Sequence, residues 1–542
     1  MTILLLEPFK LGDFIQSTAL IKELKTNYPG HRLVLAALRP EVALAAAHCG
    51  LIDETIALTQ DNWERGDAAK LPNCELLINL SSAPEALILA QNIKAQEKLG
   101  PAASLNGSIL PPPQRLAKAV MMVNRRLGRF NLVDLWRLLS PIKAAARPQL
   151  FWPLRGPQMA AEPAWPEEFD VLVKARSQAS TGLSCQNPGP ESRALFKAGG
   201  DAIANHQTRV PSSPFRRPAV EINQPAGPND LAGKNYNFGS RPLVGLHLGC
   251  GHHLRRWPTE NFVQAARLIG PTDLVLLGGP SEKALAKRFI SLAGPKKSDG
   301  PSLTDLSGRT SLASLGRVLA QLDLLISADT GVMHLAAAVG TPVVAVFGGP
   351  ALAGETGPYS GQAAIIQGFG PCSPCREGCG CRQATCPYLP PVAPVAQMAQ
   401  WLLDRSERLI CDENEDLINN LKISPQPDSG GIWSSPGRRP SYRIYLPSQD
   451  AFGQNLYTQL PDDDEILAQA IRLAAISTLG LADNSLKTAG PAVDASGRGL
   501  RAPAPDRTNE LMETISKVAN LAFDEPQKQK FFIQTAQSAL AA

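Results

Sequence analysis

Two stretches of this chain alternate short, wholly apolar runs with segments whose apolar residues recur at helical spacing. In the first, Ile3–Leu6, Leu33–Ala37, Thr55–Leu58 and Leu76–Leu80 read as strands, with helices at Ile15–Lys25 and Val42–Cys49. In the second, strands at Val244–Leu248, Leu274–Leu277, Leu324–Ser327 and Val343–Phe347 alternate with helices at Thr259–Ile269, Ser281–Leu292, Leu312–Leu322 and Gly331–Val339. A strand apolar at every position must be buried on both faces, and strand–helix alternation supplies the cover. The pattern therefore predicts an α/β protein with two doubly wound, parallel-sheet units.

Between the two units the texture changes. Pro157, Pro163, Pro166, Pro188, Pro190, Pro211, Pro214, Pro218, Pro225 and Pro228 interrupt a stretch rich in Ser, Asn and Gln. It reads as a largely irregular linker or insertion. The expected division is an N-terminal domain at 1–152, a proline-rich insertion at 153–240, a C-terminal domain at 241–411 and an extension at 412–542. Val392–Asp404 reads as the closing helix of the second domain, and the extension carries a helical pattern near Glu465–Leu479.

Lys plus Arg total 53 against 49 Asp plus Glu, a formal charge of +4, which argues for no nucleic-acid partner. The N-terminus has no basic n-region and meets Glu7 early, so no signal peptide is expected. The longest uncharged stretch, Thr330–Gly354, is broken by glycine and proline and reads as soluble core. The expected location is the cytoplasm, with peripheral contact to a membrane.

Of the 10 cysteines, Cys372, Cys375, Cys379, Cys381 and Cys386 fall in one short segment. Such clustering, opened by a C-x-x-C pair, reads as a metal site in a reducing compartment rather than a disulfide framework, or else as free thiols in a loop. Four thiolates hold zinc or iron tetrahedrally, and an all-sulfur set resembles closed structural sites.

The remaining motifs lie where strands end. Leu11-Gly12-Asp13 opens the first helix at the carboxyl edge of the sheet, with Asp13 either capping the helix or facing a cleft. Arg255 and Arg256, after the Gly249-Cys250-Gly251 turn, offer guanidinium forks that suit a diphosphate, or form a basic surface loop. Glu282, after Gly278-Gly279, suits ribose hydroxyls or steadies its own helix start. Asp329-Thr330-Gly331 opens a helix whose free N–H groups form an anion site, with His334 on the same side of its first turn, or else Asp329 merely caps the helix and His334 is a core histidine.

In this order the motifs resemble those of the family 9 glycosyltransferases, the heptosyltransferases of Gram-negative lipopolysaccharide assembly. The resemblance rests on Leu11-Gly12-Asp13, Arg255-Arg256-Trp257-Pro258, Leu277-Gly278-Gly279-Pro280, Asp329-Thr330-Gly331 with His334, and the run Ala336–Gly348. It implies the GT-B fold, with two Rossmann-like domains facing a cleft. It implies Asp13 as catalytic base, and Arg255, Glu282, Asp329, Thr330, Gly331 and His334 as donor-binding residues. It implies ADP-heptose as donor and inversion at the anomeric carbon. The acceptor would be a glycolipid, the lipopolysaccharide core, or a protein, reached at the inner membrane. Guanidinium and helix dipole would supply the positive charge, so no catalytic divalent metal is expected.

Members of this family and relatives that heptosylate proteins also carry cysteine-rich segments that hold a metal. The chain departs from the pattern in Arg255, where the family commonly has lysine, in the length of the insertion and in the extension. Transfer to another acceptor or from another nucleotide-sugar, and a non-catalytic nucleotide- or metal-binding scaffold, stand as alternative readings. Asp13 together with the donor motifs argues against the scaffold.

Overall fold

The computed structural model describes residues 1–7, 10–104, 107–124, 130–140, 149–154, 166–181, 241–295, 301–370, 373, 375, 381, 385–408, 442–448, 455–458, 470, 471, 474, 475, 478 and 508–541. The chain divides into two compact units, Met1–Phe169 together with Arg241–Ala542, and Asp170–Ser240. Both sheets belong to the first unit.

The N-terminal sheet is built from β1 (Thr2–Glu7), α1 (Leu11–Asn27), β2 (Arg32–Ala37), α2 (Pro40–Cys49), β3 (Glu54–Ala57), α3 (Gln60–Arg65), β4 (Cys74–Asn79), α4 (Pro84–Asn92) and β5 (Ala95–Leu99). Its five strands run parallel in the order β3-β2-β1-β4-β5. Ile3, Leu4, Leu5 and Leu6 are all buried, as an apolar strand covered on both faces requires. Leu4 and Leu6 join Val34, Ala36 and Leu77 in a core closed by Trp63 and Leu89. A short hairpin follows, β6 (Ala102–Ser104) with β7 (Gly107–Ile109), then α5 (Pro112–Asn124) and α6 (Leu132–Arg137).

The insertion holds a helix, α7 (Glu167–Thr181), that the proline pattern does not announce. The reason is local: between Pro166 and Pro188 the sequence has no proline, and Asp170 and Lys174 pair across one turn at 2.6 Å. The rest of 182–240 lies outside the described residues.

The C-terminal sheet is built from β8 (Leu243–His247), α8 (Thr259–Ile269), β9 (Asp273–Leu277), α9 (Lys283–Ala293), β10 (Leu303–Asp305), α10 (Leu312–Gln321), β11 (Leu324–Ala328), α11 (Gly331–Ala338), β12 (Val343–Phe347), α12 (Ala353–Thr356) and β13 (Ala363–Gly368), and α13 (Val392–Arg408) packs on it. The parallel strands take the order β10-β9-β8-β11-β12-β13. Register places His247 beside Ser327 and Leu277, so the ends of β8, β9 and β11 share one edge. Trp257, Phe262 and Phe289 fill the space between this sheet and α8, α9 and α13.

The extension serves both halves. β14 (Tyr442–Ser448) and β15 (Asn455–Thr458) add two antiparallel strands beyond β13. α14 (Thr508–Ala522) and α15 (Pro526–Ala541) instead pack on α5, where Ile515, Val518 and Phe532 meet Leu116 and Val120. Ala470, Ile471, Ala474 and Ala475, from the helical pattern seen in the sequence, join the same core.

Polar contacts also fasten the two sheets' surroundings. Tyr359 donates to Asp134 Oδ1 at 2.5 Å, and Asn131 donates to the Gly357 carbonyl at 3.2 Å. No described helix is long and apolar enough to cross a membrane.

Candidate functional site

The carboxyl end of β1 turns directly into α1. Asp13 occupies the third position of that helix, and its Oδ2 accepts a hydrogen bond from the Lys10 N–H at 3.2 Å. Half of a capping box therefore forms, as the sequence allowed. Capping does not exhaust the group: burial raises the Asp13 pKa, and nearby Asp329 pushes the same way, against the pull of the Lys10 hydrogen bond. A half-buried carboxylate with a raised pKa is a better proton acceptor than a solvated one.

Across from it, β11 ends at Ala328 and α11 begins at Gly331. Asp329 is buried between them, and its Oδ2 takes a hydrogen bond from Arg255 Nη1 at 2.8 Å. Arg255 comes from the single 3₁₀ turn His253–Arg255 after β8. The two predicted donor residues thus meet one another: the carboxylate anchors the guanidinium.

Thr330 is the N-cap residue of α11 but does not cap with its side chain. Its hydroxyl lies 3.1 Å from Ser327 Oγ and 3.4 Å from His247 Nδ1. The first turn of α11 carries no acidic side chain, so its amide ends keep their positive field.

His334 is buried, and burial lowers its pKa to about 3. It is a neutral imidazole that walls the site and brings no charge to it.

Glu282 is held by its own backbone neighbourhood. Oε2 accepts from the Gly279 N–H at 2.7 Å and Oε1 from Ser281 Oγ at 2.9 Å. The side chain threads between two glycines: a Cβ on Gly249 would stand 2.3 Å from Glu282 Cγ, and one on Gly278 2.7 Å from its Cβ. The glycines of the β8 and β9 ends therefore admit this carboxylate to the sheet edge.

The starts of α1 and α11 converge. A Cβ on Gly12 would meet Gly331 Cα at 3.2 Å and His334 Cδ2 at 3.4 Å, and one on Gly331 would meet the Gly12 nitrogen at 3.3 Å. Asp13 follows Gly12, so the one predicted site residue of the first sheet is brought to the edge that carries Arg255, Asp329 and Thr330.

Of the predicted metal ligands, Cys372 and Cys379 lie outside the described residues. Cys375 and Cys386 are buried and Cys381 is partly exposed. Two of them reach the same dipeptide after β12: the Cys375 N–H donates to Gly349 O at 3.4 Å, and Gly348 lies against the Cys386 carbonyl. The cysteine segment is thereby tied to the end of a sheet strand. Among the described residues no group of three or more His, Cys, Asp or Glu is placed to hold a metal.

Three residues at or just beyond strand ends of the two sheets escaped the sequence reading. His247 ends β8, is buried, and has its pKa lowered to about 4 by desolvation. Cys250 places its thiol 3.6 Å from the Asp329 carbonyl. Glu7 ends β1 with no exposure. Strand-end position was the available signal, but it becomes decisive only once register sets His247 beside Ser327.

Residues 212–384 match the model of glycosyltransferase family 9 (heptosyltransferase). The match contains Arg255, Glu282, Asp329, Thr330, Gly331 and His334, while Asp13 precedes it. Lipopolysaccharide heptosyltransferase 1 of Pseudomonas aeruginosa is 38% identical over 155 residues, which cover 28% of this chain and 39% of that protein. Lipopolysaccharide heptosyltransferase 1 of Salmonella typhimurium is 34% identical over 97 residues, 17% of this chain and 28% of that one. The aligned part of the chain thus spans less than half the length of either relative. A crystal structure of a family 9 glycosyl transferase from Veillonella parvula superposes with a TM-score of 0.44 and 16% identity, covering 74% of this chain and 97% of that chain. Through residues 212–384, which carry the strand-end motifs of the second sheet, this chain is similar to glycosyltransferase family 9.

Proposed function

We propose that the chain is an inverting glycosyltransferase that moves a heptose from ADP-heptose to a hydroxyl of a lipopolysaccharide core. The convergence of Gly12 and Gly331 carries this reading, because it sets a candidate base beside a candidate diphosphate site. The name of the matched family and of both relatives supports the sugar.

The Arg255 fork and the amide ends of α11 receive the diphosphate, each aimed at charge that grows as the glycosidic bond breaks. Asp329 acts through Arg255: it fixes the guanidinium and leaves the phosphates to it. Thr330, held toward His247 and Ser327, keeps the α11 start open to the ligand. Glu282, at the β9 end, faces the nucleoside. His334 excludes water from the same turn.

Asp13 accepts the proton of the acceptor hydroxyl. The oxygen then attacks C1 of the sugar from the face opposite the diphosphate, a new C1–O bond forms, and the bond to the diphosphate oxygen breaks. The electron pair leaves with ADP, and the configuration at C1 inverts. A lipid-carried acceptor places the enzyme in the cytoplasm against the inner membrane.

The cysteine segment suits zinc or iron in a structural role: its donors are soft sulfurs, and Cys375 and Cys386 approach one dipeptide. Bound there, a metal would staple the segment to the β12 edge.

Calorimetric titration with ADP, UDP and GDP tests the donor assignment. Preferential ADP binding supports it. A preference for UDP or GDP would keep a glycosyltransferase and discard the ADP-linked sugar, and no binding to any would remove the donor site.

A further inference from the structure

Glu7 is an ionisable group that the mechanism above leaves unused. It closes β1, six positions before Asp13, and is fully buried. Ala37 stands opposite it on β2, and Asn79 and Leu80 end the strand on its other side, so neither neighbouring strand brings a charge. From α1 the ionisable group acting on it is Asp13.

Its hydrogen-bond partner is Ser17, one turn beyond Asp13 on α1. Ser17 Oγ lies 2.9 Å from Glu7 Oε2 and 2.8 Å from the Phe14 carbonyl. A carbonyl can only accept, a carboxylate can only accept, and a serine hydroxyl has a single proton. With Glu7 ionised, one of these two short contacts holds no proton. With Glu7 protonated, its O–H donates to Ser17 Oγ, whose own O–H donates to Phe14, and both contacts are satisfied. Among the described residues the second oxygen, Oε1, has no partner, which a buried neutral acid tolerates far better than a buried anion.

We propose that Glu7 works as a neutral carboxylic acid whose hydrogen bond to Ser17 fixes the first turns of α1, making it the positioning residue for Asp13. This rests on the reading of Asp13 as the base. Burial pushes the Glu7 pKa up to about 8, the Asp13 charge adds to the rise, and the Ser17 bond opposes it. The folded value lies above the ordinary 4.5, so the stability this group contributes is complete below 4.5 and is lost as pH rises through about 8. Above that point an uncompensated anion sits under α1 and the base loop shifts.

The test compares the full chain with Glu7→Gln, which is neutral at every pH and keeps a donor for Ser17. Two quantities are followed from pH 5 to 9: the Tm, and kcat and KM for sugar transfer. The wild-type Tm falls across this range while that of Glu7→Gln does not follow, and the variant is the more stable protein at the alkaline end. The wild-type kcat falls about tenfold per pH unit above the Glu7 pKa, the limit for loss of one proton. The variant lacks that limb, and KM for the donor moves in neither. Parallel Tm curves would overturn the neutral acid. Diverging Tm curves with an alkaline limb shared by both proteins would overturn the positioning role. Diverging Tm curves in proteins without turnover would support the neutral acid and discard the transferase reading instead.

Discussion

Gly331 Cα stands 3.2 Å from the point that a Cβ on Gly12 would occupy. The two residues open helices from different sheets, so the contact sets the spacing between Asp13 and the start of α11. Gly12→Ala should push the helix starts apart by a few tenths of an ångström, since the obstructing atom is backbone. Sugar transfer should fall about 10–10²-fold, the scale of a displaced reacting group, with the Tm within a few degrees of wild type. Steady-state kinetics beside thermal melts check this; unchanged kcat would separate the loop from the chemistry.

Arg255 and Asp329 form a pair shielded from solvent, with side-chain exposures of 18% and 7%. Removing either partner takes a charged neighbour from the other. Arg255→Ala and Asp329→Ala should each weaken ADP binding by tenfold or more, and the double variant should be little worse than the worse single. Calorimetry on the four proteins reads the coupling directly. Additive losses would mean that Asp329 meets the ligand on its own account.

The edge also has a titration signature on the acid side. His247 and His334 are held neutral by burial, at about 4 and about 3 against an ordinary 6.5. Their folded values lie below the unfolded one, so stability is complete above pH 6.5 and is lost as pH falls toward those values. Each contributes a loss on the order of a few kcal/mol at full protonation. His334→Gln should therefore flatten the acid limb of a Tm-against-pH curve. An unaltered limb would assign acid denaturation to other groups.

Elemental analysis of the purified protein should find zinc or iron near one equivalent, and Cys375→Ser should lower both metal content and Tm. Absence of metal from both proteins would make the cysteine segment a set of thiols tied to the β12 edge by backbone bonds alone.

Much of this site was legible because both sheets are wound from residues adjacent in sequence. A strand, a glycine turn and a helix start fall within a few positions of one another, so Asp13, Glu282 and Asp329 were placed at strand ends by pattern alone. The pairing of Arg255 with Asp329 was not legible, since 74 residues separate them and only the β8–β11 register brings them together. His247 was passed over for the same reason. The helix pair α14–α15 rests on α5, almost 400 positions earlier, a contact that no local periodicity encodes. Glu7 reads in sequence as an acid at a strand end, and its state is set by full burial that only the packed fold supplies.

The central claim is that Asp13 performs chemistry at a donor site it does not itself bind, and Asp13→Asn tests it most directly. Asparagine can still accept from the Lys10 N–H, so the helix start is kept while the base is lost. The account predicts ADP affinity within a few-fold of wild type and a kcat lowered about 10²–10⁴-fold, the range for loss of a general base. An unchanged kcat with intact ADP binding would contradict it.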